Sequence, residues 1–468
     1  MPAALAACAA AVAMAGCRLP DTGVAPPVAV PGRFSAAGPA PLPRRWWTAF
    51  DDEGLNRLVA AALRGNFSLR TAWDRLDAAR ATAAAGAAPL WPALDGTAGT
   101  SWTARRAPPA GQTEAMEYGL GLAASYEVDL WGRVRSTYDA ARLDARASAE
   151  DLSAAAITLT AEVAGTWYLL IEQAGQLELL KEQVATNEKY LEVITLRFRR
   201  GRVSATDVLQ QRQLVESTKG QQALVASSRK VLEHQLALLS GRPPGAAAGP
   251  LPEGLPGLPA LPRAGLPAAV VRRRPDVRAA ELRVRAADRR VAAAIADQFP
   301  RLSLSLGAET TAERLRDLFD NWLASLAANV TAPLFDGGLR RAEVARTKAV
   351  VSERLHAYGD VVLTALKEIE DALAQEAEQA RFVESLRKQL ELSKQAADQL
   401  LINYTKGSAE FVRYLTALLS YQQLQRTHLQ ARRELVQFRI NLYRALAGGW
   451  PLPRPDRAEV PRPAEKPD

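Results

Sequence analysis

Few side chains in this sequence could carry out bond-making chemistry. Of 468 residues only three are histidines and two are cysteines, which leaves little material for a metal centre or a nucleophilic triad. Two acidic pairs could in principle serve a hydrolase as general acid and base: Asp51 with Asp52, and Glu368 with Asp371. Their contexts instead indicate a surface turn and a helix face. We therefore predict no catalytic residue, no metal site and no cofactor.

One cysteine has a distinctive context near the N-terminus. Residues 1–16 are alanine-rich and uncharged, as in an export signal, and the string Met14-Ala15-Gly16-Cys17 resembles a bacterial lipoprotein box. We predict a signal peptide over 1–16 and a lipidated Cys17 at the start of the mature chain. An ordinary signal peptide with an incidental cysteine is the alternative. Arg18, rather than aspartate, follows the cysteine, and by resemblance to lipoprotein sorting this favours the outer membrane.

The charge balance points away from nucleic acid. The chain has 59 basic and 51 acidic residues, a net charge of +8, and the basic residues are spread among the acids without a concentrated stripe. The positive charge suits an anionic surface such as lipopolysaccharide. Outside residues 1–17 no stretch of 18 residues lacks a charge, so a helical membrane span is not predicted.

The sequence contains an internal repeat. A shift of about 206 to 208 positions brings like residues into register, including Gly132 with Gly338, Gly201 with Gly407 and Pro92 with Pro300. We therefore predict two copies of one unit, over 46–241 and 265–448. Residues 242–264 are rich in proline and glycine and predict a linker, because prolines cannot continue a helix. We also predict an extended tether over 17–45 and a disordered tail over 449–468.

Long helices dominate each predicted unit. Apolar residues recur every seven positions in both units: Ala156, Val163, Leu170, Leu177, Val184, Leu191 and Phe198, then Leu355, Val362, Ile369, Val383, Leu390, Ala397 and Tyr404. Glu376 is the one exception to this stripe. A seven-residue repeat of this length predicts left-handed coiled-coil packing. We expect long helices over 133–200 and 340–406, each roughly 100 Å long, and returning helices over 205–240 and 410–446.

The period changes from seven to two ahead of each long helix, where apolar residues alternate with small or polar ones. Four such runs predict strands over 93–104, 116–130, 301–310 and 322–334. Each run has about 10 residues, the length that a tilted strand needs to cross a bilayer. Polar stretches at 105–115 and 310–320 predict external loops. Aromatic residues near the strand ends suit an interfacial belt: Trp91, Trp102, Tyr126, Trp131, Phe299, Trp322 and Phe335.

A four-stranded sheet cannot close on itself, and open edges in lipid would leave backbone groups without hydrogen-bond partners. Two chains would give eight strands, a barrel filled by side chains, whereas three chains would give twelve strands and a lumen. The predicted fold class is therefore mainly α with a transmembrane β-barrel. Three chains form a 12-stranded barrel that outer membrane lipid surrounds, and their helices continue it as a long antiparallel coiled-coil α-barrel.

Three strings resemble signatures of one known family. The string Asp129-Leu130-Trp131-Gly132-Arg133 resembles the turn into that family's first long helix, and Pro333-Leu334-Phe335-Asp336-Gly337-Gly338 resembles its counterpart in the second unit. The string RRRPDVRAAE, from Arg272 to Glu281, resembles the opening of the second repeat. Over nearly the whole mature chain, the sequence resembles the TolC-like outer-membrane efflux factor family, in particular the lipoprotein branch that works with resistance-nodulation-division pumps.

The resemblance implies a passive homotrimeric duct in the cell outer membrane, lipid-anchored, with a long periplasmic extension and no enzymatic activity. It also implies that helix tips dock a periplasmic adaptor protein, which joins the duct to an inner-membrane resistance-nodulation-division pump. By resemblance the tip residues are Gly201, Arg202, Val203, Ser204, Gly407, Ser408 and Ala409. The expected cargo is small amphipathic compounds.

The sequence departs from the family at the pore constriction. Members often carry aspartates just after the second tip, but Arg413 and Thr416 occupy those positions here, so the acidic gate is not carried over. Asp207, at the corresponding place in the first repeat, and Glu410 are the nearby acids. Three copies of Arg413 would form a positive ring, unless each pairs with Glu410 one helical turn away.

Two other functions remain open at this stage. The same architecture would serve as the outer-membrane duct of a type I protein secretion system. A periplasmic coiled-coil scaffold or adaptor without a barrel would also explain the seven-residue stripes, but it would leave the four alternating runs and their aromatic ends without a purpose.

Overall fold

The computed structural model describes residues 24–109, 111–246 and 249–454. The predicted signal peptide, Cys17 and most of the predicted C-terminal tail lie outside these residues. A short 3₁₀ helix at Trp46–Phe50 comes first among the regular elements. Two similar series of elements then follow, joined by the proline-rich segment that the sequence predicts as a linker.

Each series runs helix, helix, strand, strand, long helix, returning helix. The first comprises α1 (Glu53–Gly65), α2 (Phe67–Ala87), β1 (Ala93–Ala107), β2 (Gly111–Val128), α3 (Arg133–Arg199) and α4 (Ala205–Leu239). The second comprises α5 (Pro267–Arg273), α6 (Pro275–Ala296), β3 (Arg301–Ala312), β4 (Leu323–Thr331), α7 (Leu339–Thr405) and α8 (Phe411–Leu446). Short 3₁₀ turns at Ala88–Leu90 and Leu315–Asp317 complete the two series.

The two long helices α3 and α7 have 67 residues each and begin in the same way. A nearby aspartate accepts hydrogen bonds from the otherwise unpaired N–H groups of each first turn. Asp129 accepts from Val134 N at 3.0 Å and from Arg135 N at 2.8 Å. Asp336 accepts from Gly338 N at 2.9 Å and from Arg340 N at 3.3 Å. These aspartates explain why the strand-to-helix strings of both repeats contain one.

The four strands form one antiparallel sheet in the order β1-β2-β3-β4, so neighbours in sequence are neighbours in space. The first hairpin extends further than predicted. It pairs continuously from Ala93 with Ser125 to Ala107 with Gly111, so most of the predicted loop over 105–115 is strand. The second hairpin is shorter, because β4 ends at Thr331 rather than near residue 334. At the end away from the helices the first hairpin projects beyond the second, because the pairing of β2 with β3 stops at Tyr118 opposite Ala312, whereas β1 and β2 pair as far as Ala107 opposite Gly111.

The main core lies where the short helices pack around α3 and α8. Trp46 is fully buried and stacks on Tyr443 with ring centroids 5.9 Å apart, while Phe50 lies 5.3 Å from Tyr168. One stretch of α3 has the length and apolar composition of a membrane span, but 67% of it is buried inside the structure. Its apolar character therefore belongs to helix packing.

The predicted tether and linker both pack on the helices. In the described part of the tether, Phe34 is buried in the second repeat and Val24 N donates to Glu281 on α6 at 3.3 Å. Gly38 N donates to Pro262 O at 3.1 Å and Arg263 N to Ala40 O at 2.7 Å, which pairs the tether with the linker. Tertiary contacts therefore hold the described part of the predicted tether against the second repeat and the linker.

The start of the predicted disordered tail is also ordered. Trp450 is buried, and its ring centroid lies 5.1 Å from that of Trp47. Arg454 forms an ion pair with Asp77 on α2 and lies over the ring of Trp73. The segment that follows α8 thus packs on the first repeat, and only residues 455–468 of the predicted tail lie outside the described chain.

Candidate functional site

The sheet has two chemically different faces. Strand register places most of its large apolar side chains on one face, where they are strongly exposed: Leu94 at 70%, Leu122 at 56%, Leu306 at 53%, Leu326 at 79% and Val330 at 70%. The opposite face carries small and polar residues, including Thr97 opposite Gly121 and Ser303 opposite Asn329. An apolar face and a polar face on one sheet are the arrangement of a wall between lipid and water.

The sheet is also open at both sides. Within the described chain, β1 pairs only with β2 and β4 only with β3, so the outer edges of β1 and β4 have no strand neighbour. In lipid, every backbone N–H and C=O needs a partner inside the protein. The sheet therefore requires further strands at both edges before it can cross a membrane.

Aromatic residues connect the two repeats where the strands meet the helices. Trp131 stacks on Phe299 with centroids 4.9 Å apart, and its indole N–H donates to Pro300 O at 2.8 Å. Trp131 and Phe299 remain 52% and 43% exposed, as residues at a membrane interface would be. At the loop end of the sheet, Trp322 is 79% exposed. The aromatic side chains thus lie at both ends of the apolar face.

Both long helices end in a glycine turn at the end of the molecule away from the sheet. Gly201 has φ 67° and Gly407 has φ 78°, a conformation that other residues rarely adopt. After the first turn, Ser204 and Asp207 form a reciprocal capping box: Asp207 N donates to Ser204 Oγ at 3.2 Å, and Ser204 N donates to Asp207 Oδ2 at 3.0 Å. After the second turn, Ser408 N donates to Asn403 O at 2.9 Å.

An apolar cluster joins the two turns. Tyr404, Phe411 and Tyr414 pack with Ile194 and Val208 of the first repeat. Burial raises the pKa of Tyr414, and its hydrogen bond with Tyr190 raises it further. The cluster fixes the two turns side by side. Sequence reasoning missed the cluster, although Tyr404 at the end of the seven-residue stripe was a signal for it.

The chain matches a known family over most of its length. The family model described as "Outer membrane efflux protein" matches residues 58–242 and 266–448. This chain belongs to the outer membrane efflux protein family. It is 31% identical over 457 residues to the pyoverdine export outer membrane protein OpmQ of Pseudomonas aeruginosa, with 92% of each chain covered. It is 32% identical to outer membrane protein OprJ of the same species, with 86% of each covered.

Solved structures agree with this assignment. The efflux protein matches the outer-membrane channel OprN with a TM-score of 0.85 at 29% identity, covering 92% of this chain and 99% of that one. It matches the open state of the MtrE outer membrane channel of Neisseria gonorrhoeae with a TM-score of 0.83 at 28% identity, covering 94% and 100%. The fold is that of a TolC-like channel, an α-barrel joined to a β-barrel. The efflux protein is an outer-membrane channel with a periplasmic helical extension, and its family is one of transport ducts.

The predicted tip residues of the efflux protein all lie at the distal end. Their exposure falls into two groups. Gly201, Arg202, Ser204, Gly407 and Ser408 are exposed, whereas Ala409 is half-buried and Val203 is half-buried against the apolar cluster. The exposed members are free to contact another protein, and the half-buried members hold the turns in shape.

The four predicted constriction residues have different environments. Arg413 and Glu410 are both exposed, and within the described chain no salt bridge joins them, so the predicted alternative of an internal pair is not formed. Thr416 Oγ1 donates to Val412 O of its own helix at 2.9 Å. Asp207 is engaged in the capping box. Of the four residues, Arg413 and Glu410 therefore present free charges.

A buried polar seam separates the two repeats of the efflux protein, and sequence reasoning missed it. Asn187 on α3 exchanges amide hydrogen bonds with Gln422 on α8, with Gln422 Nε2 donating to Asn187 Oδ1 at 3.0 Å. Further along, the guanidinium of Arg433 donates to Glu172 at 3.3 Å. These residues occupy helix positions beside the apolar stripe, where their polarity indicated a solvent-facing side.

Proposed function

We propose that this efflux channel works as a homotrimer within a tripartite pump. Three four-stranded sheets form a 12-stranded barrel in the outer membrane, and the helices continue it as a periplasmic tunnel. The distal turns dock a periplasmic adaptor, which links the duct to an inner-membrane resistance-nodulation-division pump. The duct conducts small amphipathic compounds and supplies no energy of its own.

One observation carries the proposal: a strongly exposed apolar sheet face, open at both edges, leads directly into helices of 67 residues. Apolar exposure on this scale is unfavourable in water but suits lipid. Two copies would give a barrel filled by side chains, whereas three leave a water-filled bore. Closure through identical chains satisfies both sheet edges at once.

The cargo class is supported by the relatives. One is named for pyoverdine export, and another, 31% identical with 86% of each chain covered, is the toluene efflux pump outer membrane protein TtgI of Pseudomonas putida. Both names refer to small molecules. By analogy, we assign small molecules rather than proteins to this duct.

We also propose that Cys17 is acylated and anchors the chain in the outer membrane. Its lipoprotein box supports this. Val24, the first described residue of the tether, is hydrogen-bonded to Glu281 on α6.

Adjacent residues on opposite sheet faces provide the test. Leu326 lies on the apolar face of β4 and Ala327 on the other face. Leu326→Arg should impair insertion into liposomes, since an arginine facing lipid near the bilayer midplane costs about 2–4 kcal/mol. Ala327→Arg is the matched control and should insert, because its side chain faces the bore. Equal insertion by both variants would exclude lipid contact at Leu326.

Oligomeric state and conduction complete the test. The purified mature protein in detergent should have the mass of three chains by light scattering, and planar bilayers containing it should show channel conductance. A monomer that remains soluble without detergent and never conducts would refute the trimeric duct.

A further inference from the structure

The distal end of the channel carries an excess of positive charge. The segments 193–209 and 399–415 span the two turns and contain six cations but only two carboxylates. The cations are Arg197, Arg199, Arg200, Arg202, Lys406 and Arg413, and the carboxylates are Asp207 and Glu410. The apolar cluster holds both turns together, so these charges share one end of the molecule.

These cations differ from those on the helix shafts. Along the shafts, many basic residues pair with an acid one turn away, as Arg381 does with Glu378 and Arg387 with Glu384. At the distal end, Arg199, Arg200, Arg202, Lys406 and Arg413 are all exposed, and within the described chain none forms a salt bridge. Arg197 lies over the ring of Tyr404, 4.8 Å from its centroid. These paired shaft charges cancel locally, whereas the distal cations have no such partner among the residues that the structure describes.

The two carboxylates offset only two of the six cations and leave a net excess of four positive charges in these segments. Asp207 is half-buried and accepts the backbone N–H of Ser204 in the capping box. Glu410 is exposed and forms no salt bridge with Arg413. In the trimer of the proposed function, three copies of each turn surround one opening, so the net positive charge is tripled around the mouth.

We propose that the distal mouth is an electrostatic filter that favours anionic cargo, namely amphipathic compounds bearing carboxylate, sulfonate or phosphate groups. This inference rests on the proposed trimeric duct and specifies its substrate class. Clusters of one charge sign around an opening with low-dielectric walls concentrate ions of the opposite sign. The effect reaches about one Debye length, about 10 Å at 0.1 M salt, which is comparable to the size of a small cargo molecule.

The ion selectivity of the proposed filter is large enough to measure. A mouth potential of only about one kT enriches monovalent anions over monovalent cations by about sevenfold. Planar bilayers containing the wild-type trimer, measured under a gradient of KCl, should therefore give a reversal potential whose sign shows that chloride is more permeant than potassium. Cargo-like probes should behave alike, with benzenesulfonate more permeant than the similarly sized cation trimethylphenylammonium.

Two charge-removing variants isolate the turns. The first is Arg199→Gln with Arg200→Gln and Arg202→Gln, and the second is Lys406→Gln with Arg413→Gln. All five side chains are exposed, so both variants should assemble and conduct. Each should lower the chloride-to-potassium permeability ratio at least about twofold, and the combined variant should bring it close to one.

A shaft variant is the matched control. Arg381→Gln with Arg387→Gln also removes exposed arginines, but each of these is paired with a glutamate. This control should leave the permeability ratio unchanged or move it slightly. An equal effect of shaft and turn variants would refute a filter located at the mouth.

The outcomes separate this inference from the proposed function. If the wild-type protein forms no channels, the trimeric duct itself fails. If it forms channels that select cations or show no preference, and the turn variants leave that ratio unchanged, the duct stands and the anionic filter is refuted.

Discussion

The clearest stability prediction concerns the single acidic residue within the apolar stripe of α7. Glu376 is buried, and its carboxylate accepts two hydrogen bonds from Arg439 on α8, from Nε at 2.7 Å and from Nη2 at 2.6 Å. The third nitrogen of Arg439 donates to the linker carbonyls of Pro259 and, at 3.1 Å, Ala260. Burial lowers the pKa of Arg439, but its bonds to Glu376 outweigh burial and leave that pKa above its ordinary value.

The perturbation is Glu376→Leu, which restores the apolar stripe but leaves the guanidinium of Arg439 buried without its counter-ion. Breaking a buried ion pair from one side costs about 3–5 kcal/mol. Arg439 is only 2% exposed, so water cannot replace the lost carboxylate. We expect Glu376→Leu to lower the free energy of unfolding by an amount in this range, despite its better match to the stripe.

The double variant Glu376→Leu with Arg439→Leu should regain much of that loss. Apolar replacement of a whole buried pair is often neutral or stabilising. The losses of unfolding free energy in the single variants Glu376→Leu and Arg439→Leu should therefore add up to more than the loss in the double variant. The difference is a coupling energy of about 2 kcal/mol or more. Recovery will be incomplete, because the linker carbonyls of Pro259 and Ala260 lose their donor.

Denaturant unfolding in detergent, followed by tryptophan fluorescence, measures these energies, since the midpoint shift multiplied by the slope gives the change in stability. Trp46 stacks on Tyr443, one helical turn from Arg439, so the signal reports on this region. Limited proteolysis should cut the linker faster in the single variant Arg439→Leu and in the double variant than in the parent protein. A Glu376→Leu protein as stable as the parent would refute the reasoning, and so would additive single effects.

Two further predictions concern pH and backbone conformation. Burial and the positive charges of Arg432 and Arg387 hold the pKa of His428 below its ordinary value. Stability therefore decreases as the pH falls from about 6.5 towards that lowered pKa, because the unfolded chain binds the proton more readily than the folded chain does. His428→Gln should reduce the loss of melting temperature between about pH 7 and about pH 5. An unchanged loss in this variant would show that His428 is not responsible for it. Gly407→Ala should cost about 1–2 kcal/mol, since φ 78° strains any L-residue, whereas Gly220→Ala inside α4 should stabilise by about 0.5–1 kcal/mol because nothing lies near its added methyl group. Thermal melting checks both, and equal shifts for the two glycines would contradict the backbone argument.

The elements with a regular sequence period were predictable from sequence. The seven-residue stripe and the absence of proline predicted two long helices, because helix periodicity is local information. The first hairpin was predicted too short for a physical reason. Residues such as Arg106 and Glu114 break the apolar alternation, but backbone pairing continues through Arg106 opposite Gln112 whatever the side chains are. Beyond the apolar region both faces meet water, so polarity there does not distinguish strand from loop.

Features that depend on distant contacts were not predictable from local patterns. The segment 24–45 has no periodicity, and it is ordered only because Phe34 and neighbouring groups find partners on the second repeat. The polar residues Glu172 and Asn187 gave no sign of burial, since their partners lie on α8 in the other repeat. Trp450, which falls in the predicted disordered tail, is the exception whose burial the sequence could have revealed, because a tryptophan just past a helix end is costly to leave in water.

The charged bonds around the strand-to-helix joints explain why the strings Asp129 to Arg133 and Pro333 to Gly338 have the residues they do. In the first repeat, Asp129 caps α3 while Arg133, the first residue of α3, forms two hydrogen bonds with Glu127 on β2, at 3.0 and 2.7 Å. In the second, Arg340 reaches both Asp336 in the joint and Asp297 after α6, each at 3.1 Å. Each joint therefore ties a long helix to the segment that precedes it by a charged pair as well as by a cap. Rotation of a long helix about its axis at this end would therefore break those bonds.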